Sequence, residues 1–126
     1  MSETLRQAHI TVFPKDKENY IFTHEELDKY YNGISSDKIR AYIVQGEYTK
    51  DKKQHLQIYI QFTQKMRYSG IKKQLQDDTI HIQPIVYGKI QDCINYCTDK
   101  YRDKDGNPKD IFKEHKQFGE FKVQGQ

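Results

Sequence analysis

Hydrophobic and polar positions alternate most cleanly in QHLQIYIQF, where Leu56, Ile58, Ile60 and Phe62 share one parity and His55, Gln57, Tyr59 and Gln61 the other. Successive side chains of a strand point to opposite faces, so this predicts a strand with one apolar and one chemically equipped face. The preceding KIRAYIVQGEY also has strand character, and TKDKK between the two is a polar loop short enough to make an antiparallel hairpin. Upstream, AHITVF predicts a strand that Pro14 and KDKEN end. THEELDKYY predicts a helix with Thr23 as its cap and Glu26 at the capping-box position. Downstream, SGIKKQLQ reads as a short helix capped by Ser69, and TIHIQPIV as a strand. GKIQDCINYCTDK reads as a helix in which Ile90, Cys93, Ile94 and Cys97 recur at helical spacing. DGNP marks a turn, and IFKEHKQFGEF supplies a last edge strand. The order is βαββαβα plus an edge strand. It predicts an α+β fold with a central antiparallel sheet of about five strands, helices mainly on one side and an open face on the other. Only Met1–Arg6 and the FKVQGQ tail lack periodicity, so one unit over residues 1–126 is expected, with loose ends.

Composition narrows the picture. Leu, Ile, Val and Phe make up only 28 of 126 residues, enough for one modest core. The 10 Tyr and 6 Phe argue against a disordered chain, because large rings are of little use to a solvated tail. With 21 basic and 18 acidic residues the formal charge is +3, far from a polycationic coat for duplex DNA, so any nucleic-acid site has to be local. No apolar run reaches membrane-spanning length, and MSETLRQAHI lacks the pattern of a secretory signal; a soluble intracellular protein without a membrane partner is expected. Cys93 and Cys97 form no CxxC pair and read as packed thiols of one helix face rather than zinc ligands. The chain has no GxxxxGK[ST] segment.

Chemistry concentrates on the hairpin. Centring its loop on Asp51 places Glu47 opposite His55 and Gln45 opposite Gln57, and paired residues of a ladder share a face. A carboxylate, an imidazole and an amide oxygen then converge, a donor set suited to Mn²⁺ or Mg²⁺ and poorly suited to zinc. His-x-Gln occurs three times, at 55–57, 81–83 and 115–117. Only the first lies in a strand with a clean apolar face and a facing carboxylate. His9 shares the parity of Thr11, whereas His24 and His115 receive no role.

The succession HITVFP, GEYTKDKKQHLQIYIQF and QDCINYCTDKYRDKDG resembles motifs I, II and III of the HUH-family replication-initiator (Rep) endonucleases of circular single-stranded DNA viruses and related plasmids. The likeness spans residues 9–106. It implies that Glu47, His55 and Gln57 hold a divalent metal ion, Mn²⁺ or Mg²⁺, and that Tyr96 is the nucleophile. The implied activity is origin nicking through a 5′-phosphotyrosyl intermediate, followed by strand transfer, at the start of rolling-circle replication. Motif I here reads Ile10, Thr11, Val12, Phe13 in place of Phe-Thr-Leu-Asn. The family lysine stands three residues after the tyrosine, whereas Asp99 is third here and Lys100 fourth. A continued helix would bring Lys100 to the face of Tyr96. Lys104, in the second Tyr-x-x-Lys that begins at Tyr101, is the alternative if the helix ends early.

The implied partner is single-stranded origin DNA, its bases against the sheet and its backbone along nearby cations, with Tyr59, Tyr42, Lys50, Lys52, Lys53 and Arg67 as candidate contacts. The resemblance also implies a helicase domain, which these residues do not contain, or host replication factors as further partners. It implies a host nucleus for a eukaryotic virus and the cytoplasm for a bacterial plasmid. A different class of reading is a non-catalytic RRM-like single-stranded nucleic-acid-binding module, since an open sheet face with aromatics also stacks bases.

Overall fold

A computed structural model describes residues 3–85 and 88–122. Its elements are β1 (Thr4–Val12), α1 (His24–Tyr31), β2 (Ile39–Tyr48), β3 (Gln54–Arg67), α2 (Tyr68–Leu75), β4 (His81–Pro84), α3 (Ile90–Asn95) and β5 (Ile111–Gly119). The five strands form one sheet in the order β4-β1-β3-β2-β5, and every neighbouring pair is antiparallel. The fold is α+β, as the alternation of patterns requires. Among the described residues no helix is long and apolar enough to cross a membrane.

The hairpin is the spine of the sheet. Its register pairs Glu47 with His55 and Gln45 with Gln57, as a loop centred on Asp51 demands. The apolar parity of β3 then meets Ala8, Ile10 and Val12 of β1 and Tyr42 and Val44 of β2, under Tyr30 and Tyr31 of α1 and Ile71 and Leu75 of α2. Leu56, Ile58, Ile60 and Phe62 are each at most 3% exposed, and burying side chains of this size contributes about 1.5–3 kcal/mol apiece. The helix α1 starts where the capping box predicts: Glu26 N–H donates to Thr23 Oγ1, and Thr23 N–H donates to Glu26 Oε1.

Several boundaries differ from the sequence reading. The strand β1 begins at Thr4, not Ala8, because β3 runs on to Arg67 and offers pairing partners to Thr4 and Leu5 across a bulge. Ser69 is not a cap: β3 passes directly into α2, so Arg67 takes the capping position without a side-chain bond. The helix α3 ends at Asn95, well short of Lys100. There Thr98 Oγ1 donates to the Asn95 carbonyl and accepts from Lys100 N–H, local bonds that compete with helical continuation. The expected loose C-terminal segment is partly anchored, since Phe121 packs on Tyr59 and Lys122 N–H donates to Gln61 Oε1. The remainder of that tail, 123–126, the end of the expected fourth strand at Val86, and Met1 and Ser2 lie outside the described residues.

The largest difference concerns the second face of the sheet. The helices α1 and α2 lie on one side as expected, but α3 crosses the other, where Cys93 and Cys97 bury against Ile43 and Tyr59. The apolar stripe of α3 has to be covered, and Ile43 and Tyr59, with Ile85 and Phe121 beside them, cover it. The open face is therefore confined to the part beyond α3. That part contains His55, half-buried, and Glu47, buried and bonded to Lys109.

The edge strand β5 ends against β2 at Gly119, which pairs with Ala41 and has a φ of +76°. A Cβ at this position would collide with the Arg40 carbonyl oxygen, whereas Gly106, with a similar φ of +82°, faces open space. Gly119→Ala is expected to cost about 1–3 kcal/mol. Gly106→Ala should cost less, and urea denaturation midpoints of the two variants check the ranking.

Candidate active site

Four elements bring the chemical groups together. The strands β2 and β3 supply Gln45, Glu47, His55 and Gln57; β1 supplies His9 and Thr11; the end of α3 supplies Tyr96. The center of the cluster is the Glu47 carboxylate, 4% exposed. Its Oε1 lies 3.1 Å from His55 Nε2, and its Oε2 accepts from Gln45 Nε2 and from Lys109 Nζ, each at 3.0 Å. Burial pushes the Glu47 pKa up, but the bonds from His55, Lys109 and Gln45 together outweigh it and leave the carboxyl below its ordinary value. A carboxylate so depressed stabilises the fold fully above the ordinary carboxylate range, and that contribution is lost as pH falls through its lowered value.

Lys109 is the residue that sequence reasoning missed. It sits between the DGNP turn and β5, and its ammonium donates to Glu47 Oε2 and, at 2.6 Å, to the Tyr96 carbonyl. The same nitrogen stands 3.5 Å from the centroid of the Tyr96 ring. Lys100 and Lys104, the lysines that spacing from the tyrosine favours, are both exposed. With α3 ending at Asn95, the helical neighbourhood that would have put Lys100 on the face of Tyr96 does not form. No sequence signal within the third motif points to Lys109, because it enters from a different segment.

Tyr96 is framed by the His9 ring at 5.2 Å and the Tyr101 ring at 4.9 Å, both edge-on. Burial raises its phenol pKa, and the negative charge of Glu47 adds to the effect. Burial also lowers the pKa of His9, favouring a neutral imidazole beside the tyrosine. Gln57 lies on the same face with its Oε1 accepting from Thr11 Oγ1 at 3.3 Å.

The donor set is compatible with a hard divalent cation. Among the described residues no three His, Cys, Asp or Glu side chains cluster, so a cation here would need amide oxygen beside the Glu47 carboxylate and the His55 imidazole. Four buried side-chain N/O atoms lack a hydrogen-bond partner among the described residues, and three of them, Gln45 Oε1, His55 Nδ1 and His9 Nδ1, are on this face. Buried polar atoms in proteins usually have hydrogen-bond partners, and three of these four fall on the face that carries Glu47.

The remaining candidate contacts divide. Lys50, Lys52 and Lys53 occupy the hairpin loop next to Glu47 and His55; Lys52 donates to Asp110, and the Lys53 ammonium stands 4.4 Å from the Tyr20 ring centroid. Arg67 is exposed but lies ten residues along β3 from Gln57, roughly 30 Å away at strand rise. Tyr42 belongs to the opposite face, 1% exposed, its hydroxyl donating to the Tyr30 carbonyl, so its ring is not available for stacking. Tyr59 is on the predicted face but fully buried under α3, its hydroxyl donating to Gln7 Oε1 and its pKa pushed up to about 12 by burial. Tyr59 has the parity of the site face but not the exposure for contact, whereas Tyr42, paired with Ile60, has neither.

The thiols of Cys93 and Cys97 are buried, and burial pushes both pKa values up. Neither should react with iodoacetamide at pH 8 in the native protein, because the thiolate is the reactive form. Labelling that tracks denaturant-induced unfolding is the expected result, read by intact mass.

Compared with protein-family models and with the curated proteins, the chain matches none of them.

Proposed function

We propose that this protein is a metal-dependent, sequence-specific single-stranded DNA endonuclease and strand transferase of the HUH Rep type, which nicks a replication origin. The observation that carries the reading is the convergence of Glu47, His55 and Gln57 on one sheet face with Tyr96, which is linked to Glu47 through the Lys109 ammonium. Glu47, His55 and Gln57 would hold Mn²⁺ or Mg²⁺. Such an ion would neutralise phosphate oxygens and polarise the phosphorus for attack.

The Tyr96 oxygen attacks the phosphodiester as its P–O3′ bond breaks; the phenol loses its proton and the leaving 3′-oxygen gains one, giving a 5′-phosphotyrosyl link and a free 3′-hydroxyl with no net change in protons. Because the new ester retains the bond being exchanged, a 3′-hydroxyl can reverse the step and join strands. Burial and Glu47 hold the proton on the phenol, so Tyr96 becomes a nucleophile only as positive charge gathers near it. The ammonium of Lys109 is one such charge, already seated on the ring. The neighbouring His9 and Tyr101 rings fix the tyrosine in place, which is the positioning that in-line displacement needs.

The test is covalent capture. The protein is incubated with Mn²⁺ and a randomised single-stranded pool, denatured, and the attached DNA sequenced. A denaturation-resistant adduct with a common sequence supports the reading; DNA that dissociates completely rejects it in favour of a binding module. Single strands should be preferred to a blunt duplex at matched salt, because a net charge of +3 provides little duplex affinity. Equal affinities for the two would count against the proposal.

A further inference from the structure

We infer that Lys109 is a positioning residue that serves as an internal counter-ion: its ammonium occupies Glu47 until a divalent cation displaces it, so that it competes with metal for the site. The inference rests on the metal-binding reading above. Its basis is the way the Glu47 oxygens are used. Oε1 faces His55 Nε2, while Oε2 accepts from both Gln45 and Lys109. Both lone pairs of Oε2 are thus engaged, and a cation binding there has to remove a donor. Of the two donors only Lys109 is positively charged, and like charges sharing one oxygen repel strongly at low local dielectric. The ammonium is therefore the group that leaves.

The surroundings agree with a temporary partner. The Lys109 side chain is 13% exposed, close enough to solvent to withdraw, whereas that of Glu47 is 5% exposed and needs a positive neighbour at all times. Lys109 also retains a second attachment, the Tyr96 carbonyl and ring, so displacement from Glu47 leaves it beside the tyrosine. Metal entry then converts a carboxylate-bound ammonium into a free cation next to the nucleophile. This is a role that neither Lys100 nor Lys104, both exposed, is placed to fill.

The competition has a sign that a purely structural clamp would not produce. Mn²⁺ binding without DNA, followed by electron paramagnetic resonance of the free ion, is measured for the wild type, Lys109→Met and Lys109→Arg. Removing the competitor should tighten binding by about tenfold or more, whereas Lys109→Arg, which keeps the charge, should stay near the wild type. Loss of a clamp would loosen the site and weaken binding. Equal or weaker affinity in Lys109→Met, with wild-type binding intact, overturns the inference and leaves the metal site standing. Absence of Mn²⁺ binding in all three proteins overturns both. If circular dichroism shows that Lys109→Met does not fold, the wild type decides alone through reductive methylation of Lys109, read by mass spectrometry with and without Mg²⁺. A severalfold faster reaction with Mg²⁺ supports displacement, and an unchanged or slower one overturns it.

Discussion

Tyr96→Phe is expected to abolish the covalent adduct while leaving fold and single-strand binding in place. The substitution removes one oxygen and keeps the ring, so the contacts with Lys109, His9 and Tyr101 survive. The Tyr96 hydroxyl is outside the buried, unpartnered atoms of the site, and no packing is lost with it. A change in stability below about 0.5 kcal/mol is expected, as for substitutions that create neither a cavity nor an orphaned polar group. Activity should fall by more than about a thousandfold, since a missing nucleophile removes the pathway rather than slowing it. The measurement is adduct formation on a denaturing gel, with binding followed separately by fluorescence anisotropy. If the adduct persists in Tyr96→Phe and disappears in Tyr101→Phe, the nucleophile is Tyr101, whose ring stands 4.9 Å away.

His55→Ala is expected to have the next largest effect. The imidazole is the only nitrogen donor in the proposed set, and its Nε2 is also what faces Glu47 Oε1. Its removal takes one ligand from the ion and one partner from a buried carboxylate. Single-turnover cleavage should drop by more than about a hundredfold, and Mn²⁺ affinity should drop with it. Stability should fall by about 1–3 kcal/mol, the cost of a lost bond to a buried charged group. That leaves a folded protein, because Lys109 and Gln45 continue to hold Glu47 Oε2. Cleavage at the wild-type rate would reject the assignment of His55. Cleavage lost without a change in Mn²⁺ binding would place the role of His55 on the substrate instead.

The hairpin was legible because two local rules act together on it. A period of two sorts Leu56, Ile58, Ile60 and Phe62 from His55, Gln57 and Tyr59, and a short polar loop sets which residues face each other across the ladder. Register by itself therefore places Glu47 opposite His55. The start of α1 was legible for a similar reason, since Thr23 and Glu26 bond within one turn and need no distant partner.

Exposure was not legible in the same way. Parity assigns Tyr59 to the face of His55, but a strand pattern carries no information about what lies on that face. Only the docking of α3 through Cys93 and Cys97 decides that Tyr59 is buried. Tyr42 fails differently: the hairpin register already sets it opposite Ile60 on the apolar face, and its hydroxyl reaches the Tyr30 carbonyl in the core. The end of α3 was not legible either: after Asn95 the backbone bonds shorten, Cys97 N–H donating to the Ile94 carbonyl and Thr98 N–H to the Asn95 carbonyl, where the apolar spacing through Cys97 predicts continuation.

The sequence by itself determined the α+β order, the hairpin register and the pairing of carboxylate with imidazole, all consequences of periodicity and loop length acting over fewer than about twenty residues. The tertiary structure decided which lysine joins them. Lys109 lies 62 positions from Glu47 and 13 from Tyr96, separations at which no periodicity operates. What brings it in is the requirement that a buried carboxylate have a positive partner, and the pairing of β5 with β2 delivers the segment that carries one.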